Sequence, residues 1–209
     1  MSIEENFAKA ITELKKSEPK RKFDQTVDLI VNLKEFDVRR ESFNLFITLP
    51  HKIRDKKIAG LFEKKSKVVD TIVKDSFGKY KEKKDMRKLV KSYDSFIANA
   101  KLMPTIATAF GRILGPVGKM PSPQLGILPN EDDKIVEEMV KKINTTVKIT
   151  VKEPSIKVGV ARESLQDKEI LDNLVTAYNK ILETLPKNKD NIKNVKLKLT
   201  MGKPIQVGI

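Results

Sequence analysis

The stretch Phe23-Asp24-Gln25-Thr26-Val27-Asp28-Leu29-Ile30-Val31-Asn32-Leu33 decides how the chain is read. Phe23, Gln25, Val27, Leu29, Val31 and Leu33 share one phase of a two-residue period, and the other phase is largely polar. Successive strand side chains point to opposite faces, so this period predicts a β-strand with one covered face and one open face. Upstream, Ile3, Phe7, Ile11 and Leu14 form one stripe of a helix, which Ser17-Glu18-Pro19 ends because proline cannot continue it. Downstream, residues 43–49 read as a second strand, closed by Pro50-His51-Lys52. The two strands are expected to pair as antiparallel neighbours through a charged turn at 34–42.

From about residue 53 to 153 the pattern changes. Short apolar runs at 58–62, 71–73 and 95–98 alternate with helical stretches at 80–91, 103–114 and 131–144. Such alternation predicts βαβ units around a parallel sheet. Asn130 and Asp133 mark the start of the last helix, so the cluster Glu131-Asp132-Asp133 is read as complementing that helix's dipole and not as a metal site. After Pro154 the first pattern returns. A strand at 156–161 precedes a helix at 167–185 with Ile170, Leu171, Leu174, Tyr178, Ile181 and Leu182 inward. Two strands around a glycine-containing turn then occupy 195–207.

The 209 residues carry 42 Lys+Arg against 28 Asp+Glu, a formal charge of +14. That surplus favours a polyanionic partner, since every phosphate neutralised releases counterions. Arginine occurs only at 21, 39, 40, 54, 87, 112 and 162. Lysine, a mobile point charge, suits backbone tracking better than base-edge reading. The absence of cysteine excludes disulfides, thiolate catalysis and cysteine zinc sites. No apolar run approaches the roughly 20 residues that span a bilayer, and the acidic start has no signal segment. A cytoplasmic protein without a membrane partner is expected.

Tests for catalytic chemistry fail. His51 is the only histidine, so no histidine pair can hold zinc and a catalytic triad would rest on it alone. In Gly111-Arg-Ile-Leu-Gly-Pro-Val-Gly-Lys-Met-Pro-Ser-Pro123, Gly118-Lys119 is followed by Met120, and Ile113 stands where a phosphate-binding loop needs its first glycine. The dinucleotide-binding spacing fails too, because Pro116 and Val117 separate Gly115 from Gly118. What remains is a rigid loop after a helix, carrying Arg112 and Lys119, read either as a structured turn or as an RNA or partner contact. A nucleotide-binding α/β enzyme is the alternative reading, and it rests on fold analogy alone.

Aromatic residues make up 6% and tryptophan is absent, which leaves little platform for stacking single-stranded bases. Structured RNA, read by backbone and 2′-hydroxyl shape, fits better. Lys20-Arg21-Lys22 stands just before Phe23, while Lys196 and Lys198 oppose Val195, Leu197 and Leu199 on their strand. Thr200-Met201-Gly202 then offers a hydroxyl, a soft apolar group and a residue that permits close backbone approach. Its plain structural reading is a hairpin turn with a buried methionine.

At these residues the chain resembles the family of ribosomal large-subunit protein one. The matching blocks are Lys22-Phe23-Asp24-Gln25-Thr26-Val27, Leu49-Pro50-His51, Gly111-Arg-Ile-Leu-Gly-Pro116, Gly118 with Met120-Pro121, and Thr200-Met201-Gly202. Their order and spacing span nearly the whole chain, and Lys119-Met120-Pro121 is similar to the archaeal form. The resemblance implies an α+β protein with an inserted α/β domain. Residues 1–52 and 155–209 would form a discontinuous, split βαβ (ferredoxin-like) RNA-binding domain. Residues 53–154 would form a Rossmann-like three-layer domain on a two-strand hinge. It further implies a structural protein, not an enzyme and without cofactor or metal, monomeric when free. That protein binds structured ribosomal RNA of the mobile stalk near the exit-site tRNA, assists tRNA release and represses translation by binding its own mRNA. Lys22, Phe23, Thr26, Thr200, Met201 and Gly202 match the family's RNA-binding positions. Lys20, Arg21, Lys196, Lys198, Arg112 and Lys119 are further candidates, although Lys196 and Lys198 stand where the family has uncharged polar residues. An mRNA regulator outside the ribosome would use the same surface.

Overall fold

In order, the chain runs through α1 (Ile3–Ser17), β1 (Thr26–Leu33), β2 (Asn44–Thr48), β3 (Ile58–Phe62), β4 (Asp70–Val73), α2 (Lys83–Ser92), β5 (Ser95–Asn99) and α3 (Met103–Val117). It continues through β6 (Ile127–Leu128), α4 (Asp133–Thr145), β7 (Thr146–Thr150), β8 (Ser155–Arg162), α5 (Asp167–Thr184), β9 (Ile192–Leu199) and β10 (Ile205–Val207). This is a computed structural model, and it describes residues 3–17, 21–38, 40–41, 43–80 and 83–208. Packing divides the chain into two compact units, Met1–Arg54 with Thr145–Ile209, and Asp55–Asn144.

The first unit is built on the period-two stretch. β1 lies inside a sheet of order β10-β9-β1-β8 and pairs antiparallel with both neighbours. β8 and β9 therefore run parallel to each other on either side of β1, joined by α5 in a split βαβ unit. Val27, Leu29, Val31 and Leu33 face a core completed by Phe7, Ile11 and Leu14 of α1 and by Ile170, Leu174, Tyr178 and Ile181 of α5. Each fully buried aliphatic side chain here contributes about 1.5–3 kcal/mol. Phe7 meets Tyr178 edge-on, with centroids 5.8 Å apart. At the start of α5 the Glu169 side chain turns back to accept from the Gln166 N–H at 3.1 Å, satisfying one of the helix's orphan donors.

Three expectations about this unit are corrected. β2 does not pair with β1, because β8 and β9 occupy both edges of β1; it pairs with β7, from Asn44 opposite Thr150 to Thr48 opposite Thr146. Through that pairing residues 145–154, expected in the inserted segment 53–154, pack with the chain ends, and the division falls after Asn144. The strand also begins at Thr26, so Phe23 is not on the covered face but half exposed, at 51%.

The second unit holds a parallel sheet of order β4-β3-β5-β6. Every residue of β3 is buried, as a parallel strand covered on both faces requires. Ala59, Leu61, Phe96 and Ala98 pack against Ile106, Phe110 and Leu114 of α3 and Leu89 and Val90 of α2. On the opposite face Ile58, Phe62, Ile97 and Leu128 meet Val136 and Ile143 of α4. The connection from β3 to β4 is a loop. α3 runs on through Val117 with Pro116 in its last turn and ends at Gly118, whose φ of 74° is the left-handed cap that glycine adopts freely. Gly111 to Val117 are thus helical, and the loop expected over 111–123 begins only at Gly118. Among the described residues no helix is long and apolar enough to cross a membrane.

Candidate nucleic-acid interface

The helices cover one face of the first unit's sheet; the other face presents the alternate residues. Its rows follow from the register. Asp28 stands between Lys198 and Gly159, Ile30 between Lys196 and Lys157, and Asn32 between Asn194 and Ser155. The last row is hydrogen-bonded: the Ser155 hydroxyl donates to Asn32 Oδ1 (2.8 Å) and Asn32 Nδ2 donates to Asn194 Oδ1 (2.6 Å). Asp28 is half-buried, and that burial pushes its carboxyl above the ordinary aspartate value against the pull of Lys198. The result is a sheet face of lysines and amides, with one carboxyl that resists charging.

At the edge of this face, β1 and the turn after β9 are locked together. The Thr200 N–H donates to Thr26 O (3.1 Å), and the Thr26 N–H donates to Thr200 Oγ1 (3.0 Å). The Met201 N–H donates to Oε1 of Gln25 (3.3 Å), while Gln25 Nε2 donates to Glu163 Oε2 (3.2 Å). Gln25 is fully buried, so a polar side chain inside the core fixes both arms of the edge. The Gly202 N–H closes the turn on Leu199 O at 2.9 Å. Held this way, Met201 is 59% exposed, which overturns its reading as a buried turn residue.

Beside the edge lies a groove of about 450 Å³, lined by Lys15, Arg21, Lys22, Phe23, Asp24, Glu163 and Ser164. Asp24 does not oppose the cations freely, because its carboxylate accepts from the N–H (3.1 Å) and hydroxyl (2.9 Å) of Ser164. Arg162 adds a further tie by donating from Nη1 to Asp24 O at 2.7 Å. The groove wall is therefore rigid backbone with Arg21 and Lys22 exposed beside an exposed aromatic ring.

The first unit thus brings together Arg21, Lys22, Phe23, Thr26, Thr200, Met201 and Gly202, with Lys196 and Lys198 on the adjoining sheet face. Lys198 is partly engaged, donating from Nζ to Thr200 O at 2.8 Å. Lys20 lies outside the described residues. Arg112 and Lys119 belong to the second unit. Arg112 is exposed on α3, and Lys119 is not free for a ligand: its Nζ donates to Val90 O (2.7 Å) and Tyr93 O (2.6 Å) at the end of α2, where a cation complements the helix dipole. Reading by periodicity missed Asn32, Ser155, Lys157 and Asn194, whose association depends on register, and the bracing role of Gln25. Gln25 did leave a signal, as the one polar residue in the covered phase of the period-two stretch 23–33.

His51 is structural. Its main chain is clamped by Asn173, which accepts from the His51 N–H (3.0 Å) and donates to His51 O (3.0 Å) and Val160 O (2.9 Å). Its ring Nε2 lies 3.1 Å from Asp172 Oδ2. Among the described residues no group of three or more His, Asp or Glu side chains is placed to hold a metal ion.

The model of the ribosomal protein L1p/L10e family matches residues 14–203. The chain belongs to this family. It is 37% identical over 199 residues to the large ribosomal subunit protein uL1 of Nanoarchaeum equitans, covering 90% of this chain and 93% of that protein. The uL1 of Thermoplasma volcanium is 35% identical over 214 residues, covering 97% of this chain and 96% of the relative. That of Pyrobaculum arsenaticum is 38% identical over 208 residues, covering 94% and 90%. As an L1-family member the chain is a structural, cytoplasmic ribosomal protein and not an enzyme.

Proposed function

We propose that this L1-family protein is a component of the large ribosomal subunit and grips structured ribosomal RNA with the uncovered sheet face and the Thr200–Gly202 edge of its first unit. The observation that carries this reading is the pair of exposed apolar side chains, Phe23 and Met201, mounted on backbone that Thr26, Thr200 and Gln25 hold rigid. Exposed apolar groups on a locked edge can pack against sugar edges in a shallow minor groove, and the neighbouring hydroxyl and amides can meet 2′-hydroxyls. The lysines of the sheet face supply attraction to phosphate without reading sequence.

Two consequences belong to the same reading. A similar RNA structure in the chain's own mRNA would occupy the same surface and block translation. A stalk held by the protein beside the exit-site tRNA would move with that tRNA as it leaves. A photo-crosslinking residue in place of Met201, in protein assembled into large subunits, is expected to join one short region of ribosomal RNA. A crosslinker at exposed Val117 that reaches ribosomal RNA while the one at 201 does not would refute the surface. In a reporter translated from the chain's own mRNA leader, Thr200→Ala is expected to relieve repression; unchanged repression would separate the mRNA role from this surface.

A further inference from the structure

In the second unit the order β4-β3-β5-β6 reverses between β3 and β5: the chain leaves β3 for β4 on one side, then crosses to β5 on the other. In open parallel sheets the crevice outside the carboxyl ends of two such strands is where ligands, and phosphates in particular, bind. Three donors converge there. Two are the consecutive N–H groups of Glu63 and Lys64, just past the end of β3. The third is the side-chain amide of Asn99, the last residue of β5.

All three donors serve one carboxylate from the same chain. Glu131 Oε1 accepts from the Glu63 N–H (2.9 Å) and from Asn99 Nδ2 (2.8 Å), and Oε2 accepts from the Lys64 N–H (3.1 Å). Asn99 is only 6% exposed, and its own Oδ1 accepts from the Lys101 N–H at 3.0 Å, so its amide is aimed at the crevice. The surrounding loop is firmly tied. The Ser66 N–H donates to Thr71 Oγ1 (3.1 Å) and the Ser66 hydroxyl to Asp133 Oδ1 (2.7 Å), while Lys64, Lys65 and Lys67 stay exposed. Partial burial pushes the Glu131 carboxyl up, but the bonds from Glu63, Asn99 and Lys64, with the charge of Lys64, outweigh it and hold the group below the usual glutamate range. The expectation that the cluster 131–133 only complements its own helix is therefore corrected for Glu131, which reaches across to the sheet.

Adjacent main-chain N–H groups, a side-chain amide and a basic rim form a donor set matched to two oxygens of a phosphate as well as to a carboxylate. We infer that the second unit contains a phosphate-type oxyanion site at its strand-order reversal, occupied from within by Glu131. Filled by its own chain, the site is closed to nucleotides and inorganic phosphate. The inference does not depend on the RNA surface of the first unit, and neither result below bears on that surface.

The test uses the full chain with Glu131→Ala and follows the amide signals of Glu63 and Lys64 by NMR as inorganic phosphate is added. The variant is expected to show saturable shifts at both amides at millimolar phosphate, and the native chain none. Adenosine monophosphate is expected to reproduce the shifts and adenosine to leave them unmoved, which assigns the binding to the phosphate. A folded variant without saturable shifts at these amides, or a native chain that responds equally, overturns the inference. Should Glu131→Ala fail to fold, Glu131→Ser vacates the three donors with a shorter, polar side chain. Its Tm must then rise with millimolar phosphate by several degrees more than that of the native chain, and equal increments overturn the inference.

Discussion

Gly159 shows how closely individual residues shape the uncovered sheet face. A Cβ at this position would lie 2.8 Å from Thr26 Cγ2 and 3.2 Å from Asp28 Oδ1. The Thr26 methyl sits on a stiff β-branched side chain and cannot fold away. Gly159→Ala is expected to cost about 1–3 kcal/mol in denaturant unfolding, with a loss of RNA discrimination through the displaced Thr26. A variant as stable as the native chain would show that the strands part without strain. Asp28 gives a pH signature. Its folded-state value is raised by burial, so folding favours the protonated form, and the charged form costs stability as pH rises through the carboxylate range. Asp28→Asn is therefore expected to raise Tm at neutral pH, with the gain fading as pH falls below the aspartate range; a gain constant with pH would assign the effect to something other than ionisation. Tyr178 has a buried hydroxyl with no hydrogen-bond partner among the described residues. Removing such a group relieves an uncompensated desolvation, and Tyr178→Phe is expected to be neutral or to add up to about 1 kcal/mol. At this scale sequence reading found most of the edge residues but could not find Gln25's task, because its partner Met201 lies 176 positions away in the chain.

At the scale of elements, periodicity located α1, α2, α4 and α5 and most strands closely, since amphipathic spacing is a local property. Pairing is not local. β1 and β2 look like a hairpin in sequence, and only the competition of β8 and β9 for the edges of β1 decides otherwise. β7 was missed because it follows α4 without a break, and β6 because two residues carry no period. Pro116 and Gly115 hid the last turn of α3, because proline lacks the N–H that a helix interior uses and glycine has low helix propensity. Asn173 joins three elements: it lies in α5 and bonds the main chain after β2 and within β8. Asn173→Leu would strand one donor and two acceptors, and a loss of about 2–4 kcal/mol is expected in chemical denaturation. A change below about 0.5 kcal/mol would show that other contacts hold this junction.

At the scale of the whole molecule, the charge of +14 and the Thr200–Gly202 edge divide the work of the proposed function. Charge was plain in the composition and pointed only to a polyanion. The family blocks pointed to a surface, and the fold supplies its physical content: a rigid edge with two exposed apolar side chains beside a lysine-bearing sheet face. The central claim is that discrimination resides in that edge and not in the lysines. It is tested most directly by measuring, over a range of salt, the affinities of the native chain, Thr200→Ala and Lys196→Ala for a large-subunit stalk RNA fragment and an unrelated hairpin. Thr200→Ala is expected to lose about tenfold of the preference, roughly 1.4 kcal/mol, with little change in salt slope. Lys196→Ala is expected to weaken both RNAs alike and to lower the slope by about 0.7–0.9. Loss of preference in Lys196→Ala with full preference retained in Thr200→Ala would contradict it.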